Sequence, residues 1–521
     1  MAFSAPERLQ GRPGWWIIGP PVNSRHAFVL ALAISLVYVL ALAYPVQQHV
    51  VGVFSDFYVR FAPDADRLAA GLFPENTYNP PGYPALLVAG SWLTGDHFTS
   101  GKWMSLFAAG LAGVLTFLLA RRLFGPSAGV LAMPIVLFSE AFTTYAVTAM
   151  TDVPFVCVLL GAMLVITWDD AEGEGRRFVW AVTAGALCGA AYLMRYNALF
   201  LLVPGVVAAA TRGRPGRARV LVVATFLGSA LVTALPWLLA NHAHHGSPFY
   251  STNYEDVARA FGISRAHPFT SLADVVLHDP ARVIGGYAKN VPFTTYQTFG
   301  ASLALLPAGP LAALGIALAL ARRRTRPVLL VLLAALSFIA LMGLTHWEKR
   351  YFFFMLACWS GFAAFAMLEI GRWIAGALRS PMAGRVAVGG LALWILVPSS
   401  VLVWRSVAKT LSRQPVELLP AARLLASDTP PGATVMSVRA QIAYLSRRQW
   451  RPLPGADSIE DLGATLRRER PPDYLVYDRW ARRFIPQLKT LADPAGSPPW
   501  LEAVYSDPSI VVYRVEMDRA R

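Results

Sequence analysis

Residues 150–155 read MTDVPF, and Asp152 is the only charge between two strongly apolar stretches, IVLFSEAFTTYAVTA without its Glu140 and VPFVCVLLGAMLVITW. A carboxylate in such a place has two uses. It can favour the N-terminus of the helix that follows, or it can take a proton as a general base. Asp56, in the stretch SDFYVR, stands in a similar place just beyond the first apolar run. Cations accompany both: Arg60 after Asp56, Lys102 at the start of the next run, Arg195 in LMRYNALFLL, and Lys349 and Arg350 in THWEKRYFFF, beside His346 and Glu348. Arg and Lys at a membrane edge hold phosphate groups. They can equally anchor helix ends among lipid headgroups, so single members of the set carry little weight. The set carries more, because carboxylates and cations converge on one face of the membrane.

Two other clusters read as structural. Asp64, Asp66 and Arg67 follow at helical spacing and are expected to form a solvated helix face. His242, His244 and His245 in HAHH have spacings that could hold a metal, but no local carboxylate or cysteine joins them, so they are weak candidates. The acidic run DDAE at 169–172 is read as a cytoplasmic loop.

Composition states what must position these groups. The chain has 521 residues, 55% hydrophobic and only 15% charged, with mean hydropathy +0.46. A soluble domain carries about 25% charge, so this is an integral membrane protein. The net charge of +15 fits the excess of Lys and Arg in cytoplasmic loops better than nucleic-acid binding. Cys157, Cys188 and Cys358 lie inside apolar runs, which excludes a disulfide framework or zinc cluster. The first apolar run reads as an uncleaved signal anchor.

Eleven spans are expected, at 27–46, 102–120, 127–148, 153–168, 178–194, 197–210, 219–240, 301–320, 327–345, 350–369 and 386–404. Arg121, Arg122, Arg176, Arg177, the arginines of 211–219 and 321–327, and Arg372, Arg379 and Arg385 all fall on one side of that path. This orients residues 1–26 in the cytoplasm and the C-terminus outside it, in a plasma (inner) membrane. Within the membrane domain, 27–404, two outer loops remain, 47–101 and 241–300. Residues 405–521 alternate strand-like stretches (433–438, 473–478, 509–515) with a helical one (458–470), as a small extracytoplasmic α/β domain does.

The order of SDFY, the YNPPGYP segment, ARRLFG, MTDVPF, LMRYNALFLL and EKRY resembles the GT-C superfamily of polyprenyl-phosphate-sugar glycosyltransferases. The nearest branches are protein O-mannosyltransferase-like enzymes and lipid A aminoarabinose transferases, and the resemblance spans roughly residues 27–370. It implies a mainly α, polytopic GT-C fold and an inverting transfer of a sugar from a polyprenyl-phosphate donor to a hydroxyl on a protein, lipid or glycan. It also implies Asp56 as the catalytic base and Asp152 as the supporting second aspartate. Tyr58, Arg60, Tyr78, Asn79, Lys102, Arg195, His346, Glu348, Lys349 and Arg350 are then expected to bind the substrates. Where the aminoarabinose branch has Glu-Lys before Pro-Pro, this chain has Tyr78 and Asn79, which removes that branch's metal ligand and leaves a divalent metal open. The alternatives are a transporter or flippase of a lipid-linked or polar substrate, and a binding module on a membrane anchor. The transporter would need paired repeats and mid-span charges, which the chain does not show, and the module would need far fewer spans.

Overall fold

The computed structural model describes residues 23–168, 174–212, 216–263, 269–300, 303, 307–322 and 325–517, and its apolar runs are helical. Arg8, Arg12 and the run at 169–172 lie outside these residues. Six helices are long and apolar enough to cross a bilayer: Ser24–Gln48, His97–Phe124, Gly175–Met194, Arg217–His245, Lys349–Ala377 and Pro381–Ser412. The pair Pro126–Leu137 and Glu140–Ala146 makes a seventh if counted as one span, bent by 69°. Asp152–Ile166, Tyr196–Arg212, Ala308–Arg322 and Arg326–Met342 are shorter apolar helices. Length and composition therefore support six or seven spans directly, fewer than the eleven expected. The chain is a mainly helical multi-pass membrane protein with a small C-terminal sheet.

The chain divides into two compact units. One contains Met1–Ala43, Ser105–Ala146 and Thr151–Val407; the other contains Tyr44–Met104, Val147–Met150 and Ala408–Arg521. The loop after the first helix and the C-terminal segment thus share a unit, although more than 300 residues separate them in sequence.

In the helical unit, burial sorts the helices. Of the apolar stretch of Lys349–Ala377, 89% is buried, against 11% for Pro381–Ser412. The first is a central post lined by Phe352, Phe353, Phe354, Phe362 and Phe365. The second presents Trp394, Val397, Val401 and Trp404 outward, as a lipid-facing helix does. Small residues set one close crossing. A Cβ on Gly185 would sit 2.2 Å from the Phe226 carbonyl, and one on Gly189 would sit 2.5 Å from that of Ala230. The Glu174–Met194 and Arg217–His245 helices therefore pack backbone to backbone, as small-xxx-small pairs allow. That packing fixes the end of the first helix, where Arg195 lies.

The second unit holds a five-stranded sheet: β1 (Thr434–Ser437), β2 (Gln449–Pro452), β3 (Tyr474–Asp478), β4 (Leu501–Asp507) and β5 (Ile510–Val515), in the order β2-β1-β3-β5-β4. β1 pairs in parallel with β2 and β3, and β5 runs antiparallel to β3 and β4. Every residue of β3 is buried, because both faces are covered. Tyr474 and Val476 face a core with Leu418, Ala422 and Leu425. Leu475 and Tyr477 face the other, with Leu462, Leu466 and Leu488. The helix Ile459–Arg468 starts where Ser458 accepts a hydrogen bond from the Asp461 N–H.

Candidate active site

Each unit holds a cluster of the expected residues of its own. In the helical unit, the helix Asp152–Ile166 begins directly with the aspartate, which is 1% exposed. The N-cap position belongs to Thr151, which makes no side-chain cap bond. Asp152 is instead paired with Arg195, whose Nη2 lies 3.1 Å from its Oδ1. An interruption of the helix explains the reach. Helix Glu174–Met194 ends, Arg195 is extended (φ −156°, ψ 136°), and a 3₁₀ turn runs over Tyr196–Leu201. A buried pair of this kind is costly to break, because the abandoned charge keeps its desolvation penalty.

The same device recurs at the start of the central post. Glu348 is extended (φ −142°, ψ 130°) before a 3₁₀ turn over Lys349–Phe352. Its Oε2 lies 3.0 Å from Arg350 Nε. Tyr351 joins the two ion pairs: its ring centroid is 5.3 Å from the Arg195 guanidinium and 5.4 Å from that of Arg350. Phe155 and Tyr145 flank them, 5.9 Å from Arg195 and Arg350 respectively. Two guanidiniums thus lie around one aromatic ring, each tied to a carboxylate, so the four charges balance. His346 is at the rim, 4.0 Å from Glu348 and half exposed, and Lys349 is exposed.

In the second unit, Asp56 is half-buried and stands at the N-cap of a π-turn, Phe57–Phe61. Turns of this kind are frequent at functional sites. Arg60 lies 3.6 Å above the Tyr78 ring, so two expected substrate contacts meet. Asn79 follows, half-buried, ahead of Pro80. Two other expected contacts are committed to the loop itself. Tyr58 is 2% exposed and its hydroxyl accepts from the Gly52 N–H at 2.7 Å. Lys102 is buried and donates to the His49 carbonyl at 2.7 Å. Both shape the backbone that carries Asp56.

One expectation is corrected. Asp64 is not on a solvated face; it is 5% exposed and accepts from the Asn76 N–H at 3.3 Å. Burial pushes its carboxyl up to about 7, against the opposing pull of the backbone bonds from Asn76 and Glu75. Asp66 and Arg67 do face outward, paired with His97 at 3.2 Å and Glu75 at 2.6 Å. His242, His244 and His245 are exposed in the last turn of Arg217–His245, and His245 stacks on Tyr250 at 4.4 Å. Among the described residues no group of three or more His, Cys, Asp or Glu could hold a metal ion. The sequence reading missed Tyr351 and Tyr145. EKRY placed Tyr351 beside the cations, but nothing in EAFTTYAVTA singles out Tyr145.

Residues 78–239 match the family model of dolichyl-phosphate-mannose-protein mannosyltransferases. No curated protein sequence matches the chain. In fold it is similar to ArnT from Cupriavidus metallidurans bound to undecaprenyl phosphate, with a TM-score of 0.56, 16% identity, and 93% of this chain and 97% of that one covered. ArnT in its apo state gives a TM-score of 0.59 at 14% identity, covering 94% and 98% of the two chains. The oligosaccharyltransferase AglB from Archaeoglobus fulgidus, in complex with an inhibitory peptide and a dolichol-phosphate, gives 0.56 at 14% identity, covering 91% and 74%. Residues 78–239 thus match a mannosyltransferase family model, and nearly the whole chain shares the fold of these solved membrane proteins.

Proposed function

We propose that this protein transfers a sugar from a polyprenyl-phosphate donor to a hydroxyl on the outer face of the membrane. The observation that carries the reading is the buried Asp152–Arg195 pair with Arg350 and Tyr351 beside it, in a chain of this fold. Similar solved proteins hold undecaprenyl phosphate or a dolichol-phosphate. A polyprenyl chain can lie along apolar helices while its phosphate meets guanidiniums at their ends. The four shorter apolar helices then also cross, for eleven spans, with the N-terminus cytoplasmic and the loops bearing Asp56 and Asp152 outside a plasma membrane.

Asp56 acts as general base. It removes the acceptor hydroxyl proton as that oxygen bonds to the anomeric carbon. The bond from that carbon to the phosphate oxygen breaks, and its electron pair leaves with polyprenyl phosphate, whose charge Arg195 and Arg350 neutralise. A single displacement inverts the anomeric configuration. Asp152 holds Arg195 in place, and its negative charge favours the oxocarbenium-like state.

Purified protein in nanodiscs, given a panel of polyprenyl-phosphate sugars and a membrane extract as acceptor source, tests this by release of polyprenyl phosphate. One donor should be consumed. Asp56→Asn should lower turnover by roughly 10²- to 10⁴-fold while the protein stays folded. Normal turnover by Asp56→Asn and Asp152→Asn sinks the site assignment. No binding or consumption of any donor sinks the transferase reading and favours transport.

A further inference from the structure

Residues 49–54 have no regular secondary structure, so their backbone groups need partners from elsewhere. Beyond the Tyr58 and Lys102 bonds described above, the partners come from the far end of the chain. Gln414 is buried and its side-chain oxygen accepts from the Val50 and Val51 N–H groups, at 2.7 and 3.1 Å. Its amide nitrogen donates to the Gln48 carbonyl at 3.0 Å and to Leu411 at 3.1 Å. Three of its four bonds thus serve residues 48–51. Arg439 Nη1 donates to the Val53 carbonyl at 2.7 Å, and Gln441 Nε2 to that of Gly52 at 3.4 Å. Tyr444 packs on Tyr58, ring centroids 5.5 Å apart.

These groups are themselves fixed by the sheet. β3 ends at Asp478, whose carboxylate caps the helix Arg479–Phe484 through the Trp480 and Ala481 N–H groups. Arg479 donates to the Arg413 and Gln414 carbonyls, at 2.8 and 3.0 Å, and pairs with Glu417 at 2.8 Å. Trp480 lies 3.5 Å beneath the Arg439 guanidinium. The path runs from strand to helix to side chain to the segment that enters the Asp56 turn. A side chain whose purpose was to stabilise the C-terminal fold would spend its bonds inside that fold. Gln414 and Arg439 send theirs to residues 48–53.

We propose that Gln414, Arg439 and Gln441 are positioning residues, through which the C-terminal α/β unit sets the backbone that presents Asp56. This rests on the reading of Asp56 as the base. It makes the C-terminal unit part of the catalytic apparatus, although it contributes no catalytic residue.

Hydrogen exchange and donor turnover, measured on the full chain in nanodiscs, test it together. Gln414→Ala and Arg439→Ala should speed exchange at residues 49–58 while β3 and β5 keep their protection, which shows that the unit remains folded. Turnover should fall on the order of tenfold to a hundredfold, as a small misplacement does, in kcat with donor KM little changed. Arg439→Lys, which still reaches the Val53 carbonyl, should recover most of both. Unchanged exchange at 49–58 overturns the proposal whatever the activity. Faster exchange with normal turnover, where Asp56→Asn is inactive, overturns it too. If Asp56→Asn turns over normally, the assignment of the base has failed, and with it this role. Loss of protection in β3 in both alanine variants means that the residues serve the fold, and also overturns it.

Discussion

Asp152 and Asp56 are both aspartates at the edge of an apolar run, and they are held by opposite means. Asp152 is placed by helix packing. Its own helix starts on it, and its partner Arg195 hangs from the end of a helix locked by Gly185 and Gly189. Asp56 follows an irregular segment that is placed by hydrogen bonds from residues more than 360 positions away. Buried between helices, a carboxylate needs a cation to survive, so its position comes with its charge partner. In a loop it can stay half-exposed, and its geometry must be supplied by the backbone around it. The first arrangement is robust in position and vulnerable in charge; the second is the reverse.

That contrast can be broken from its strongest side first. Arg195→Met should abandon the Asp152 charge and cost about 3–5 kcal/mol of stability, read by thermal unfolding in detergent. Adding Asp152→Asn should recover most of this stability without recovering turnover. Loss of stability in Asp56→Asn as large as in Arg195→Met would erase the distinction.

Asp64 gives a smaller, pH-dependent effect in the loop unit. Its folded carboxyl titrates at about 7, above the ordinary 3.8, so the folded state holds a proton that the unfolded state has lost. The stabilisation this provides is complete below about pH 4 and disappears as pH rises through 7. The difference in stability between wild type and Asp64→Asn should therefore move against wild type from pH 5 to 8, by at most about 3 kcal/mol. A pH-independent difference would place Asp64 in water after all. The smallest effect belongs to exposed Lys349: Lys349→Ala should change stability by less than about 0.5 kcal/mol and turnover by less than Arg350→Ala does. A larger loss than Arg350→Ala would move the phosphate contact to Lys349.

The helical unit was largely legible because its signals are local. Apolar runs mark helices, and a charge that must sit at their ends is conspicuous in MTDVPF, LMRYN and EKRY. The 69° bend at 138–139 was not legible, since Pro134 alone does not give its angle. Helical spacing put Asp64 beside Asp66 and Arg67, but burial of Asp64 is decided by the Asn76 turn packed over it. In the sheet, β1, β3 and β5 stand out as short runs of β-branched and aromatic residues, while β2 (QWRP) is too short and polar to register and Glu502, Ser506 and Asp507 interrupt the apolar run of β4. The bonds from Gln414 and Arg439 to the first loop were the least legible. A Gln or Arg in sequence gives no sign of a partner hundreds of residues away, and residues 405–521 read as a separate small α/β domain.

The span between Gln414 and Val50 also sets a clock. The two are 364 residues apart, and at about 5–20 residues per second a ribosome needs roughly 20–70 s to travel that distance. Throughout that interval the Asp56 segment has entered the membrane without the amide that holds it. The nascent chain can gather its spans and meet lipid before these bonds exist. If Asp56 is the base and Gln414 aims it, as proposed above, turnover has to wait until the last residues of the chain are made and folded.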